Sequence, residues 1–358
     1  MGQASSGAIK AVRFRSAEMA AGSLVVVYLV WLGTGFGGPR TTLVVDDLGQ
    51  LAAPWIATLV CALAARRRAS ARTSWTLLAV SSLLWGLGQA VWCYLALVRS
   101  TAVPFPSLAD VGFLAAIPFA CGALLTYPGG LRRTTDRVHG VLDGCIIATS
   151  LLFASWATVL GPLYRNHLNG LLAQVISLAY PMSDVVLVSL VVILLARSGI
   201  RGRESLGLVM MGIVAFAVSD TAFAYLTEVH QYSGGSMLDA GWVAGYLLIG
   251  LGAWRALVSP AEAPGTSETS TVFRVVPYLP VLVVLAVTSV QLLRGHPLEP
   301  VSWYLAFAIA VLVLGREALR LDDLKRPHRR HGAGLHGPGS VDPPSTGCRQ
   351  ASLTGDPQ

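Results

Sequence analysis

The sequence predicts an all-α, polytopic transmembrane bundle of about ten spans, with both termini on the inner side. Three observations predict it. Apolar residues make up 54% of the 358-residue chain and charged residues only 13%, with a mean hydropathy of +0.61. A soluble domain carries roughly 25% charged residues, because its surface must be solvated. The apolar residues also fall in runs of the length a bilayer core demands, about 20 residues of helix. Finally, the basic residues alternate strictly between one set of connections and the other.

The runs lie at about 19–36, 48–65, 75–98, 107–127, 140–163, 171–196, 205–227, 238–258, 275–293 and 301–318. The first follows Lys10, Arg13 and Arg15 in a short N-terminal segment, 1–18. That arrangement resembles a signal peptide, but no small-x-small cleavage site follows and more runs come at once, so an uncleaved anchor is expected. Spans three, five and seven recur at regular spacing, and each is followed by a return helix with an early aspartate. The segments Pro106–Val111, Pro181–Val185 and Leu238–Trp242 are the points of comparison, and they suggest a hairpin repeated in parallel.

Orientation follows from the positive-inside rule. With the N-terminus inside, all but four of the 26 lysines and arginines fall on inner segments; the exceptions are Arg40, Arg99, Arg165 and Arg294. The net charge of +7 and the pI near 9.4 therefore belong to loops facing anionic lipid and cytoplasm. Nucleic acid is excluded as a partner, since no soluble domain remains to display a basic face. Beyond the bundle (19–318), a charged helical extension is expected over 319–326, ended by Pro327. The tail, 327–358, is rich in Gly, Pro, Ser and His without hydrophobic periodicity, and disorder is expected there.

Charged residues inside spans carry the most information, because each costs about 2.5–3.5 kcal/mol at a helix centre and so faces a bundle interior or wet cavity. Asp184 lies near the middle of its span and Asp220 toward the outer end of its own. Asp110 and Asp239 open inward-running helices, and Ser107 with Asp110 makes an S-x-x-D capping box. Tyr180 precedes Asp184 by one turn, which places its phenol within reach of that carboxyl, and Pro181 is expected to kink the helix. Trp85 and Gln89 bring a large ring and an amide to mid-membrane, and Trp242 follows Asp239 by one turn. The expectation is one polar cavity, open to the outer face, formed by Asp110, Asp184, Asp220, Asp239, Tyr180, Trp242, Trp85 and Gln89. Trp75, Trp254 and Trp303 stand at span ends and fit an aromatic belt.

Catalytic and metal signatures are missing. The five cysteines show no CxxC or Cys/His spacing, so a zinc site or disulfide framework is not expected. His167, His230 and His296 lie in separate outer loops without ligand spacing. No nucleophile triad, HExxH or P-loop occurs. No catalytic residue, metal or cofactor is therefore expected.

The ordered series Trp85-Gly86, Pro106-Ser107-x-x-Asp110, Leu142-Asp143, Tyr180-Pro181-x-x-Asp184, Ser219-Asp220 and Asp239-x-x-Trp242 resembles the multi-span sensory region that precedes GGDEF and EAL domains in many actinobacterial proteins. The resemblance covers roughly residues 20–325. Arg316–Leu324 is similar to the start of the helix that leads into the catalytic domain of that family. No GGDEF sequence follows, and Glu317-Ala318-Leu319 lacks the surroundings of an EAL domain. The resemblance therefore implies a sensory module of the cytoplasmic membrane without its own output domain, with Arg316, Glu317, Arg320 and Leu324 as the inward relay. The implied partners are membrane lipids, a separate cytoplasmic signalling protein and a second copy of the chain. A secondary transporter using the intramembrane aspartates is the alternative.

Overall fold

The computed structural model describes residues 2–99, 103–128, 137–165, 170–197, 203–228, 231, 234–258, 278–295 and 297–332. Among them every regular element is helical: α1 (Gly2–Thr34), α2 (Pro39–Arg67), α3 (Arg72–Cys93), α4 (Leu108–Leu125), α5 (Arg137–Ser155), α6 (Gly161–Arg165), α7 (Leu171–Arg197), α8 (Arg203–Glu228), α9 (Ala240–Val258), α10 (Leu279–Leu293) and α11 (Pro300–Gly332). Helices satisfy their own backbone polar groups, which is what a bilayer requires of a spanning segment. Single π-helical turns at Tyr94–Val98 and Trp156–Leu160 end α3 and α5. Pro54, Pro118 and Pro181 lie inside continuous helices.

Among the described residues eight helical stretches are long and apolar enough to cross a membrane: Phe14–Thr34, Pro39–Arg67, Ala69–Val98, Leu108–Leu125, Val141–Arg165, Leu171–Leu194, Glu204–Thr227 and Met237–Val258. They coincide with the first eight expected runs. At the expected ninth run stands the shorter apolar helix Leu279–Leu293, and the tenth falls within α11. The chain divides into two units, Met1–Leu314 and Gly315–Gln358.

In the first unit, six helices close a ring. α3 packs on α2 and α4, α4 on α7, α7 on α8, α8 on α9, and α9 returns to α2. α1 packs on the outside of α9, α5 on α7, and α10 on α5. Two hairpins on opposite sides of the ring, α3/α4 and α8/α9, are built alike. A Cβ on Gly88 would meet the Ala109 carbonyl at 2.7 Å; at the matching place Ser219 Oγ donates to the Leu238 carbonyl at 2.9 Å. Ser81 Oγ donates to the Ala116 carbonyl at 2.9 Å, where the second hairpin sets Gly212 against the Gly245 carbonyl. Small residues permit this backbone approach, the usual device for helix pairing in lipid. The matched residues Trp85 and Phe216 meet across the ring, centroids 4.5 Å apart. The two hairpins thus share one contact pattern, and α2 and α7 separate them on either side of the ring. Of the three expected hairpins, the contact pattern of the first recurs in the third.

Two sequence expectations are corrected. The helix does not end at Pro327 but runs to Gly332, because a proline forfeits one backbone donor without abolishing the helix around it. Trp75 is not in an interfacial belt: it is 1% exposed and packs edge-on against Tyr127. Trp303 is exposed. His167, His230, His296 and residues 333–358 lie outside the described residues.

Candidate functional site

The bundle has two chemically different ends. At one, where α2 ends at Arg67 and α3 and α8 begin at Arg72 and Arg203, Arg68 Nη2 donates to the Leu257 carbonyl at 3.2 Å. There Arg255 pairs with Glu204 and stacks over the Phe14 ring at 4.6 Å. The other end collects the aspartates. Asp46 and Asp47 lie near the start of α2, Asp110 opens α4, Asp239 precedes α9, and Asp220 nears the end of α8. Asp184 lies deeper, roughly 20 Å along α7 from Leu171 at 1.5 Å per residue.

The aspartates fall into two groups. In the first, Tyr28 Oη donates to Asp46 Oδ1 at 2.6 Å, Gln50 Nε2 donates to the same oxygen at 3.0 Å, and the Gly235 amide donates to Oδ2 at 3.0 Å. Asp46 thus ties α1, α2 and the approach to α9 together. Tyr28 also lies within electrostatic reach of Asp47 and Asp239. The Ser236 amide donates to Asp239 Oδ2 at 2.8 Å, an acid-capped helix start. Cys93 Sγ donates to the Asp47 carbonyl at 3.3 Å, and the Trp92 side chain hydrogen-bonds the Asp47 carboxyl; Asp47 Oδ2 is buried without a partner.

In the second group, the Ser107 amide donates to Asp110 Oδ2 at 2.7 Å and the Ala109 amide to Ser107 Oγ at 3.2 Å, completing the expected capping box. Tyr180 Oη donates to Asp110 Oδ1 at 2.6 Å. The expected Tyr180–Asp184 bond is therefore replaced by a bond between helices, since the phenol points across the α4–α7 contact rather than down its own helix. Trp242 Nε1 donates to Asp220 Oδ1 at 2.7 Å. Asp184 is 7% exposed, lies within electrostatic reach of Asp220, and its Oδ2 has no hydrogen-bond partner.

Of the predicted set, Asp110, Tyr180, Asp184, Asp220 and Trp242 are brought together, while Asp239 stands with Tyr28 and Asp46. Gln89 is buried and its Nε2 lies 3.9 Å from Cys93 Sγ. Trp85 lines a cavity of about 50 Å³ at the ring centre, together with Ser81, Ser82, Leu187, Phe216 and Tyr246. That volume admits a water or two and is far below the roughly 300 Å³ where small-molecule sites begin. Tyr246, which lines this cavity, also lies within electrostatic reach of Asp220. In the second unit, Glu317 pairs with Arg316 at 3.2 Å and Arg320 at 3.6 Å; Leu324 lies in α11, its side chain outside the description. No group of three or more His, Cys, Asp or Glu that could hold a metal occurs among the described residues.

Asp46 and Asp47 were not legible as site residues. They lower the hydropathy of any window that contains them, so the apolar run reads from 48 onward. The missed signal was Pro39, which suits a first helical position and starts α2 a full two turns earlier. Comparison with protein-family models, curated proteins and solved structures finds no match to this chain.

Proposed function

We propose that this integral membrane protein is a multi-pass sensory module of the bacterial cytoplasmic membrane. It receives a signal at its carboxyl-rich end and relays it inward through α11 to a separate signalling protein. The observation that carries the reading is α11 itself, a 33-residue helix that passes from an apolar first half into the paired charges Arg316, Glu317 and Arg320. Its resemblance to the sensory regions ahead of GGDEF and EAL domains supports the same direction of relay. In this reading the arginine-bearing end is cytoplasmic, both termini are inside, and α10 and the first half of α11 supply crossings nine and ten. At about 22 Å, the 15-residue α10 is shorter than the ~30 Å hydrocarbon core, a mismatch that local thinning accommodates.

The test is in-membrane crosslinking followed by purification of full-length protein. A partner bearing a cyclic-dinucleotide or phosphorelay output domain, lost in an Arg316→Ala/Glu317→Ala/Arg320→Ala variant, supports the relay. A partner retained by that variant, or none across growth conditions, overturns it.

A secondary transporter is the second reading, favoured by the contact pattern that α3/α4 and α8/α9 share and by the unpartnered Asp184 Oδ2, since internal repeats and intramembrane carboxyls are features of transporters. Ion-coupled uptake in proteoliposomes, abolished by Asp184→Asn, would favour it.

A further inference from the structure

We propose that Asp184 and Asp220 form a site for one exchangeable proton, held between α7 and α8 and loaded from the carboxyl-rich end of the bundle. The site stands on geometry and holds for a sensor and a transporter alike. Asp184 is more than nine-tenths buried with Oδ2 unpartnered, and Asp220, on the adjacent helix α8, lies within electrostatic reach of it. Two neighbouring carboxylates in an apolar surrounding cannot both stay ionised unless a cation neutralises them.

Among the described residues no side-chain cation is placed to do so. Of the arginines toward that end, Arg40, Arg99 and Arg294 are exposed and Arg165 pairs with Glu299. The remaining groups near the pair are acids or neutral donors. α4 brings Asp110, α7 its own Tyr180, and α9 brings Tyr246 and Trp242. α5 also packs on α7, but its charged and titratable residues Arg137, His139, Asp143 and Cys145 all fall in its first half, at the opposite end of the bundle. α6 offers Tyr164 beside the paired Arg165.

The hydrogen bonds divide the two roles. Trp242 N–H donates to Asp220 Oδ1, and a donor of that kind stabilises a carboxylate. Asp184 receives no donor at Oδ2, so the shared proton sits on Asp184. Binding is the simple addition of a proton from water to a carboxylate, with no other bond made or broken. A metal cation is the competing occupant, but it needs more oxygen ligands than this pair presents.

The test uses full-length protein in lipid nanodiscs and dicyclohexylcarbodiimide, which reacts with protonated carboxyls in apolar surroundings; adducts are located by peptide mass spectrometry. The expected result is an adduct on Asp184 whose yield falls about tenfold per pH unit on the alkaline limb and does not respond to added Na⁺. No adduct on Asp184 or Asp220 at any pH overturns the proposal, as does protection by Na⁺ at fixed pH, which would assign a metal cation instead. In Asp184→Asn, Asp220 should stay unmodified, as a lone carboxylate held by Trp242. Modification of Asp220 in that variant, at the yield seen for Asp184 in the parent, overturns the sharing. Because the first measurement is made on the unaltered protein, a variant that fails to fold leaves the proposal testable.

Discussion

Tyr180 on α7 donates its phenolic proton to Asp110 on α4 across 2.6 Å, while Asp184, one turn further along the same helix, receives no donor at Oδ2. One tyrosine thereby completes a helix cap on its neighbour and leaves its own helix's carboxyl open.

Tyr180→Phe should lower stability by about 1.5–3 kcal/mol, the worth of a hydrogen bond to a charged acceptor. Asp110→Ala should cost more, because it removes the cap and strands the phenol. Unfolding in mixed micelles, run as a double-mutant cycle, should return a coupling of about 1 kcal/mol between the two. Strict additivity would mean the bond contributes nothing.

Asp46 accepts three donors, from Tyr28, Gln50 and the Gly235 amide. An Asn there turns an NH₂ against a donor on either side chain orientation. Asp46→Asn should therefore destabilise the fold by about 2 kcal/mol, whereas Asp184→Asn, with one oxygen unpartnered, should leave the unfolding transition nearly unmoved. Equal thermal shifts in the two variants would contradict the bonding pattern.

Gly112 lies against the backbone of Gly88 and Leu84, where an added Cβ would meet atoms at 2.7–2.8 Å. Gly112→Ala should force α3 and α4 apart and cost about 1–3 kcal/mol as overpacking. Gly22→Ala is the control: a Cβ there meets nothing within 4 Å, and the change should be neutral or slightly stabilising. Detergent stability of the two variants, compared side by side, decides the point.

Topology is testable directly. Reporter fusions after Arg72, Arg137, Arg203, Thr266 and Ala333 should read cytoplasmic, and fusions near Arg165 and Gly234 external. An external reading at Ala333 beside a cytoplasmic one at Thr266 would remove one of the last two crossings.

The sequence by itself determined that the chain is a helical membrane bundle, where its eight long apolar helices lie, and that Ser107 and Asp110 cap α4. These features depend on local pattern: hydropathy, the length of apolar runs and residues three apart, which a bilayer converts into helices because no other backbone arrangement is satisfied there. Only the tertiary structure decided which helices close the ring and therefore who meets whom. It turned Tyr180 toward Asp110, set Asp46 among donors from α1, α2 and the approach to α9, and drew Trp75 into the core. Such pairings depend on the rotation of each helix about its axis and on its neighbours in the ring. Both are set by the packing of small residues such as Gly88 and Gly112 between distant segments, and no local pattern in the chain encodes them.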